Sequence, residues 1–450
     1  MSEELQHVLE RVRERVQPSQ DERNRLEQTT RSVMDRAKAA VDALPVEADV
    51  IRVGSTARDT WLRGERDIDV FVRFSNSLER EELRQYGLEV GRSVLPDGQL
   101  EYAEHPYVSG EFEGYMIDLV PCFAVESGND IRSAVDRTPF HAAYVKERLN
   151  ERLANDVRVL KRFCEAIGIY GSDLRTQGFS GYLTELLILE YGTFEAVIEA
   201  ASEWRPPVRF DPEDHGSVDF DDPLVVIDPT DPARNVAAVV TAESVAKFQH
   251  YARELLANPG VEKFEIPPTP TIDAETLRSH LSRRNSTPIA IRFPVPSMVE
   301  DQLYPQLRRT RDGIVAALGE RGFLVTRAAI FHQDDAVIFL ELAVAKLPTI
   351  ERHAGPPVHV KHHARAFLDQ WEETPVYGPF ISGDRYIVER ERKFSSASAL
   401  LRSDEILSAS LGAELVDDIA ENREISVGDQ IIDLLPEFSS DLAQFYNPRP

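Results

Sequence analysis

Cysteine is nearly missing from this 450-residue chain, which has only Cys122 and Cys164. Both sit inside apolar patterns and offer no CxxC pair, so neither a disulfide framework nor a thiolate zinc site is expected. Long apolar runs are missing as well. No stretch of about eighteen apolar residues occurs, and the opening MSEELQHVLERVRERV is a charged helical pattern without a signal-peptide core. The expectation is a cytoplasmic protein with no membrane partner. Lysine is scarce too: of 51 basic residues eight are lysine and the other 43 arginine, against 77 acids, which leaves a net charge of -26. Most nucleic-acid binders look different, and the acidity here says little about function. The acids are spread along the chain and do not form one tail. Such a surface fits molar salt, where the Debye length shrinks to about 3 Å and self-repulsion is screened, and so points to a halophilic cytoplasm.

What is present is enough for a substantial core. Apolar residues make up 42% and charged ones 28%, and the length predicts roughly two to four compact units. Residues 1–45 read as two helices broken at Gln17-Pro18-Ser19, with Leu26, Val33, Ala37, Val41 and Leu44 on one face. From Ala48 the period becomes strand-like: a strand at 49–53, a Gly54-Ser55 turn, a short helix through Trp61-Leu62, a strand at 68–74, a helix at 78–94, and strands at 99–108 and 114–123. This is a small mixed sheet with helices on one face. Residues 138–200 read as helical, with Val157, Leu160, Phe163, Cys164 and Ile167 forming an amphipathic face. An acidic, proline-rich loop at 205–232 holds one strand at 224–227, and a long helix is predicted over 235–256. The run Ile266-Pro267-Pro268-Thr269-Pro270 reads as a linker. A βαββ pattern follows at 288–344, Gly355-Pro356-Pro357 reads as a further boundary, 362–371 as a helix and 386–391 as a short strand.

The chemistry points to one constellation: Gly54-Ser55, then Asp67-Ile68-Asp69, then Asp118 inside the apolar string YMIDLV. Aspartates at i and i+2 on a strand share a face, and a third from a neighbouring strand completes a set of oxygen ligands. Such close like charges are costly without a divalent cation, and a pair of Mg2+ ions is the known use of the arrangement. A lone DxD is more often a solvated strand edge, and a Gly-Ser pair is usually only a turn. Asp118 is harder to read as structural, because a carboxylate interrupting an apolar strand needs a specific partner. Gly54 would let a triphosphate approach the backbone, with Ser55 and Arg58 donating to phosphate oxygens.

This pattern resembles the DNA polymerase β nucleotidyltransferase superfamily. The strings VGSTARDTWLRGERDIDVFVRF, RTPFHAAYVKERL, LKRFCEAIGIYGSDLRTQGFSGYLTELL and DPTDPARNVAAVV, in this order, are similar to the class I, archaeal-type CCA-adding enzymes, and the similarity runs from about residue 10 past residue 400. The resemblance implies a multidomain α+β protein: a polymerase β-like palm with a mixed sheet at residues 1–137, a helical central domain at 138–264, and α+β RNA-binding regions at 265–350 and 351–450. It implies two Mg2+ ions on Asp67, Asp69 and Asp118, with Asp118 helping to activate the tRNA 3′ hydroxyl. It implies nucleotide contacts from Gly54, Ser55, Arg58, Thr138, His141, Lys161 and Tyr170, and base selection by Arg234 acting with tRNA phosphates. ATP and CTP are the implied substrates, with tRNA held by its acceptor stem and T-arm. A homodimer is left open.

Read from the residues alone, several of these positions have plainer explanations. Lys161 could be a snorkelling surface lysine, His141 a capping or core histidine, Tyr170 a half-buried packing residue, and Arg234 part of a loop leading into a helix. Arg308, Arg309, Arg311, Lys361, Arg390, Arg392 and Lys393 are candidate tRNA phosphate contacts. His353, His359, His362 and His363 invite a metal reading, but no cysteine or suitably placed carboxylate completes the set. The competing functions are a poly(A) polymerase or oligoadenylate synthetase on the same palm, and a catalytically inactive RNA-binding relative.

Overall fold

Proline and serine at 18 and 19 make the first break in the chain. The computed structural model describes residues 3–102, 104–126, 130–373 and 376–450. It opens with α1 (Glu3–Val16) and α2 (Gln20–Asp42), separated by a capping box in which the Ser19 hydroxyl accepts from Glu22 N and the Glu22 carboxylate accepts from Ser19 N. Two compact units are present. One comprises Met1–Pro267 with Pro450, the other Pro268–Arg449. Residues 266–270 carry no regular structure.

In the first unit, β1 (Ala48–Arg52), α3 (Gly54–Arg58), β2 (Asp67–Ser75), α4 (Arg80–Val94), β3 (Gln99–Tyr102), β4 (Pro106–Phe112) and β5 (Tyr115–Ala124) build a five-stranded sheet in the order β1-β2-β5-β4-β3. Only the β2–β5 pair is parallel. Alternation sends Ile68, Val70, Val72 and Phe74 into an apolar layer with α2 and α4. The intervening residues, the three aspartates among them, fall on the other face. Two expectations change here. The short helix begins at Gly54 and stops at Arg58, because Asp59 is left-handed (φ 54°), leaving Trp61 and Leu62 as buried coil. The strand expected over 99–108 is two antiparallel neighbours, with residue 103 outside the described residues.

The unit continues with α5 (Thr138–Arg148), α6 (Glu151–Ala166), α7 (Gly181–Tyr191), α8 (Phe194–Ser202), β6 (Val208–Phe210), β7 (Leu224–Asp228), β8 (Asp231–Asn235) and α9 (Ala242–Ala257). The Asn150, Ser180, Thr193 and Thr241 side chains cap α6, α7, α8 and α9. A core of Leu160, Phe163, Phe179, Phe194 and Phe248 joins these helices to α1. The helix expected from residue 235 instead begins at Ala242. Asn235 ends a strand, and its buried amide takes Val226 N on Oδ1 (2.8 Å) and gives Nδ2 to Leu224 O (3.0 Å), folding β8 back onto β7.

The second unit holds α10 (Ala274–Arg284), β9 (Thr287–Pro294), α11 (Glu300–Glu320), β10 (Leu324–His332), β11 (Asp335–Val344), β12 (Ile350–Pro357), α12 (Lys361–Gln370), β13 (Tyr377–Ser382), β14 (Arg385–Glu391), α13 (Ala397–Arg402), α14 (Val416–Asn422), β15 (Glu424–Val427) and α15 (Leu435–Tyr446). Its sheets run β10-β11-β9-β15 and β12-β14-β13. The βαββ pattern is β9-α11-β10-β11, and the expected helix and short strand are α12 and β14, while α10, β12, β13, α13, α14, β15 and α15 lie outside the sequence reading. Gly355-Pro356-Pro357, read as a further boundary, ends β12, with Pro357 opposite Arg385 on β14 after a register shift. No helix among the described residues is long and apolar enough to cross a membrane.

Candidate active site

The three aspartates are brought to one face by strand register. Asp69 on β2 lies directly opposite Asp118 on β5, and Asp67 opposite Met116. Val53 N donates to Asp69 O at 3.0 Å, which anchors the turn at Gly54 beside it. Gly54 has φ +71°, and a Cβ there would stand 1.7 Å from Asp69 Oδ2, so only glycine fits. Ser109 on β4 donates its hydroxyl to Asp118 Oδ1 at 2.6 Å.

The electrostatics follow. Burial, then Asp118, pushes the Asp69 carboxyl up to about 6, with Asp67 adding to the rise while Arg58 and Lys161 oppose it. Burial likewise raises Asp118, Ser109 opposes, and Asp67 and Glu101 add to the rise. The nearby Tyr107 phenol is pushed up to about 12 by burial and by Asp118. Among the described residues no three His, Cys, Asp or Glu side chains are gathered closely enough to hold a metal ion as they stand. The donor set nevertheless fits one: hard carboxylate oxygens on a shared face, whose mutual repulsion a divalent cation would relieve.

Beside the aspartates lies a basic cluster. Arg58 Nε donates to Glu185 Oε1 at 2.9 Å, and the Thr60 hydroxyl donates to the same oxygen at 2.6 Å. Glu185 is fully buried on α7. Lys161 on α6 is only 2% exposed, so it is not a surface lysine. Burial depresses its ammonium, against Glu185 and Glu65, which hold it up. A Cβ on Gly181 would lie 3.2 Å from the Tyr170 hydroxyl and 3.6 Å from Lys161 Nζ, so both side chains reach the start of α7. Burial pushes the Tyr170 phenol upward. Ser55 and Thr138 are half-buried on α3 and α5, which pack together.

A third cluster centres on Asp228, the last residue of β7. Its Oδ2 accepts from Arg234 Nη1 at 2.7 Å and lies 2.8 Å from His141 Nε2. The His141 ring stacks on Tyr182, with centroids 4.1 Å apart and planes 16° apart. Arg234 is therefore a strand residue tied to a buried acid, where a loop into a helix was expected. Burial lowers the His141 pKa and the Asp228 contact opposes it. Asp228 itself is held well below the usual carboxylate range: burial works against this, and His141, Thr230 and Arg234 overcome it.

Sequence reasoning passed over Glu185, Asp228, Tyr182, Thr60 and Ser109. Two of them carried a readable sign, since Glu185 and Asp228 are acids in the apolar strings GYLTELLIL and LVVID. In the second unit, Arg390 and Arg392 pair with Glu351, and Lys393 and Arg321 with Glu405. His353 lies over Phe367 and near Trp371, and His362 stacks on His363.

Family models match along the chain: a nucleotidyltransferase domain at residues 34–141, the second domain of tRNA nucleotidyltransferase at 155–265, and the C-terminal domain of CCA-adding enzyme at 284–428. The CCA-adding enzyme of Haloarcula marismortui is 52% identical over the whole of both chains. That of Halorubrum lacusprofundi is 53% identical, again over all of both chains, and that of Methanosarcina acetivorans 40% identical over 92% of each. The chain belongs to the CCA-adding enzyme family. A CCA-adding family member is a tRNA nucleotidyltransferase of α+β multidomain build, and the poly(A) polymerase alternative is not favoured. Two of these full-length CCA-adding relatives come from Haloarcula and Halorubrum, in keeping with the acid-rich, lysine-poor composition.

Proposed function

We propose that this chain adds C, C and A stepwise to tRNA 3′ ends from CTP and ATP without a nucleic-acid template, releasing pyrophosphate. The observation that carries the reading is the direct opposition of Asp69 and Asp118 on parallel strands beside Arg58 and Lys161. Asp67, Asp69 and Asp118 would hold two Mg2+ ions. The chemistry such ions supply is a lowered pKa of the attacking hydroxyl and neutralisation of the pyrophosphate charge.

The remaining work falls to this chain's own side chains. Asp118, with its raised pKa and one oxygen engaged by Ser109, is suited to take the proton of the tRNA 3′ hydroxyl. Gly54 keeps the turn beside Asp69 open, and Ser55, Arg58, Thr138, Lys161 and Tyr170 receive triphosphate and ribose. Buried Lys161 acts as a point charge whose desolvation strengthens its pull on phosphate. His141 and Arg234 face the base. In the proposed division, residues 1–137 form the catalytic head, 138–264 the central domain, 265–350 the body and 351–450 the tail, the last two holding the acceptor stem and T-arm of tRNA. Arg390, Arg392 and Lys393 would exchange their acidic partners for phosphates there. A cytoplasmic setting completes the proposal.

The test is to sequence the 3′ ends made from tRNA ending at its discriminator base with CTP and ATP supplied together. CCA ends are expected, and ATP-only polymers would remove the reading. Asp118→Ala should cut incorporation by about a thousandfold or more while tRNA binding survives. Normal activity in that variant would refute the metal assignment.

A further inference from the structure

Asp228 is fully buried, yet every acceptor site it has is used. Oδ2 serves Arg234 and His141. Oδ1 accepts from Thr230 N at 2.9 Å and Thr230 Oγ1 at 2.8 Å, and faces the Tyr182 hydroxyl at 3.4 Å. Its carbonyl oxygen lies 3.0 Å from His215 Nε2. A carboxylate offers about four lone-pair sites, so this one is saturated and cannot turn without breaking several charge-assisted bonds. The depressed pKa keeps it ionised across the neutral range.

Two groups are fixed by this single anchor. His141 comes from α5 and Arg234 from β8, elements far apart in sequence, and both meet the same oxygen. Tyr182 from α7 stacks on the imidazole and closes the arrangement. Arg234 is 36% exposed at its side chain and commits one Nη to Asp228, leaving its other donors available. Without the anchor, a long arginine on a short hairpin would sample many rotamers. Choosing between two bases by hydrogen bonds requires donors held to within about 0.5 Å.

We infer that Asp228 is a positioning residue for nucleotide choice, holding the Arg234 guanidinium and the His141 ring in one fixed relation so that the remaining donors match one hydrogen-bonding pattern on the incoming base. This rests on the proposed role of Arg234 in base selection. Asp228→Asn keeps the volume but removes the charge and replaces one acceptor oxygen with an amide donor, which opposes either the Arg234 and His141 donors or Thr230 N, so the saturated arrangement is lost in both orientations.

The experiment measures kcat and KM for ATP and for CTP on tRNA lacking only its terminal A, using wild type, Arg234→Ala, Asp228→Asn and the double variant, each checked for folding by thermal melting. Asp228→Asn should lower the preference for ATP by about tenfold, mainly through KM, and the double variant should be no worse than Arg234→Ala. Thr230→Val removes one donor onto Oδ1 and leaves the carboxylate in place. It is the second variant if Asp228→Asn does not fold, with an expected relaxation of about two- to fivefold. An unchanged preference in the folded variant, or a fall in kcat with the preference kept, would mark a scaffold only and overturn the inference. Full preference in Arg234→Ala would instead refute base selection by Arg234, a result read independently of the Asp228 variants.

Discussion

Asp69 feels burial and two like charges at once, and its proton is bound more tightly in the folded chain than in the unfolded one. With the folded value raised from 3.8 to about 6, the stability linked to this group is full below about 3.8 and is lost as pH rises through about 6. Asp69→Asn should therefore raise the melting temperature of metal-free protein at pH 8 by on the order of 2–4 °C, and by less at pH 5. Magnesium should stabilise the wild type at pH 8 and do little for the variant. Calorimetry at fixed molar KCl reads both, and a variant that melts lower at pH 8 would contradict the sign. At this scale the aspartates were legible because Asp67 and Asp69 share one strand face at i and i+2, and Asp118 interrupts an apolar run. Ser109 and Thr60 were not, because a hydroxyl on a strand or in a turn is unremarkable until its acceptor is known.

The β7–β8 hairpin shows where elements escape a local reading. β7 is five buried residues in a row and declares itself. β8, with the sequence DPARN, has no alternation and holds a proline, so propensity reads it as loop. What makes it a strand is the Asn235 amide, which substitutes for ladder bonds to Val226 and Leu224, bonds Ala237 N at 2.9 Å and reaches Asp222 at 2.9 Å. Asn235→Ala strands these buried groups and should cost about 2–4 kcal/mol. Urea titration of the intact protein measures it, and a loss below about 1 kcal/mol would mean that the hairpin does not depend on this side chain. β15 was hidden for a different reason: it joins β9 from more than a hundred residues away, with Glu424 opposite Arg292, and no window along the chain sees that pairing.

For the molecule as a whole, the net charge of -26 sets the working conditions. Unscreened, such a charge opposes compaction and repels an RNA backbone; in molar salt both penalties shrink. Exposed pairs such as Arg73–Asp49 and Arg84–Glu81 contribute little there. Activity and melting temperature should both rise from dilute buffer into molar KCl, and an activity optimum below about 0.1 M salt would overturn the halophilic reading. The linker and the βαββ run were legible at this scale because composition shifts and strand-helix alternation survive averaging over long windows. α10 was missed because its face toward the core is narrow, with Leu277 as its only fully buried residue.

The parallel pairing of β2 with β5 also constrains how this centre can change over time. Side chains along β5 alternate in phase, so losing one residue ahead of Asp118 would turn its carboxylate into the oily layer and an isoleucine outward, silencing the chemistry and opening the core in one event. Losing two would restore the phase but move the carboxylate off its opposite number by a full repeat. Descendants of this chain are thus free to vary in length at the turns, while within the two strands they can only exchange one side chain for another.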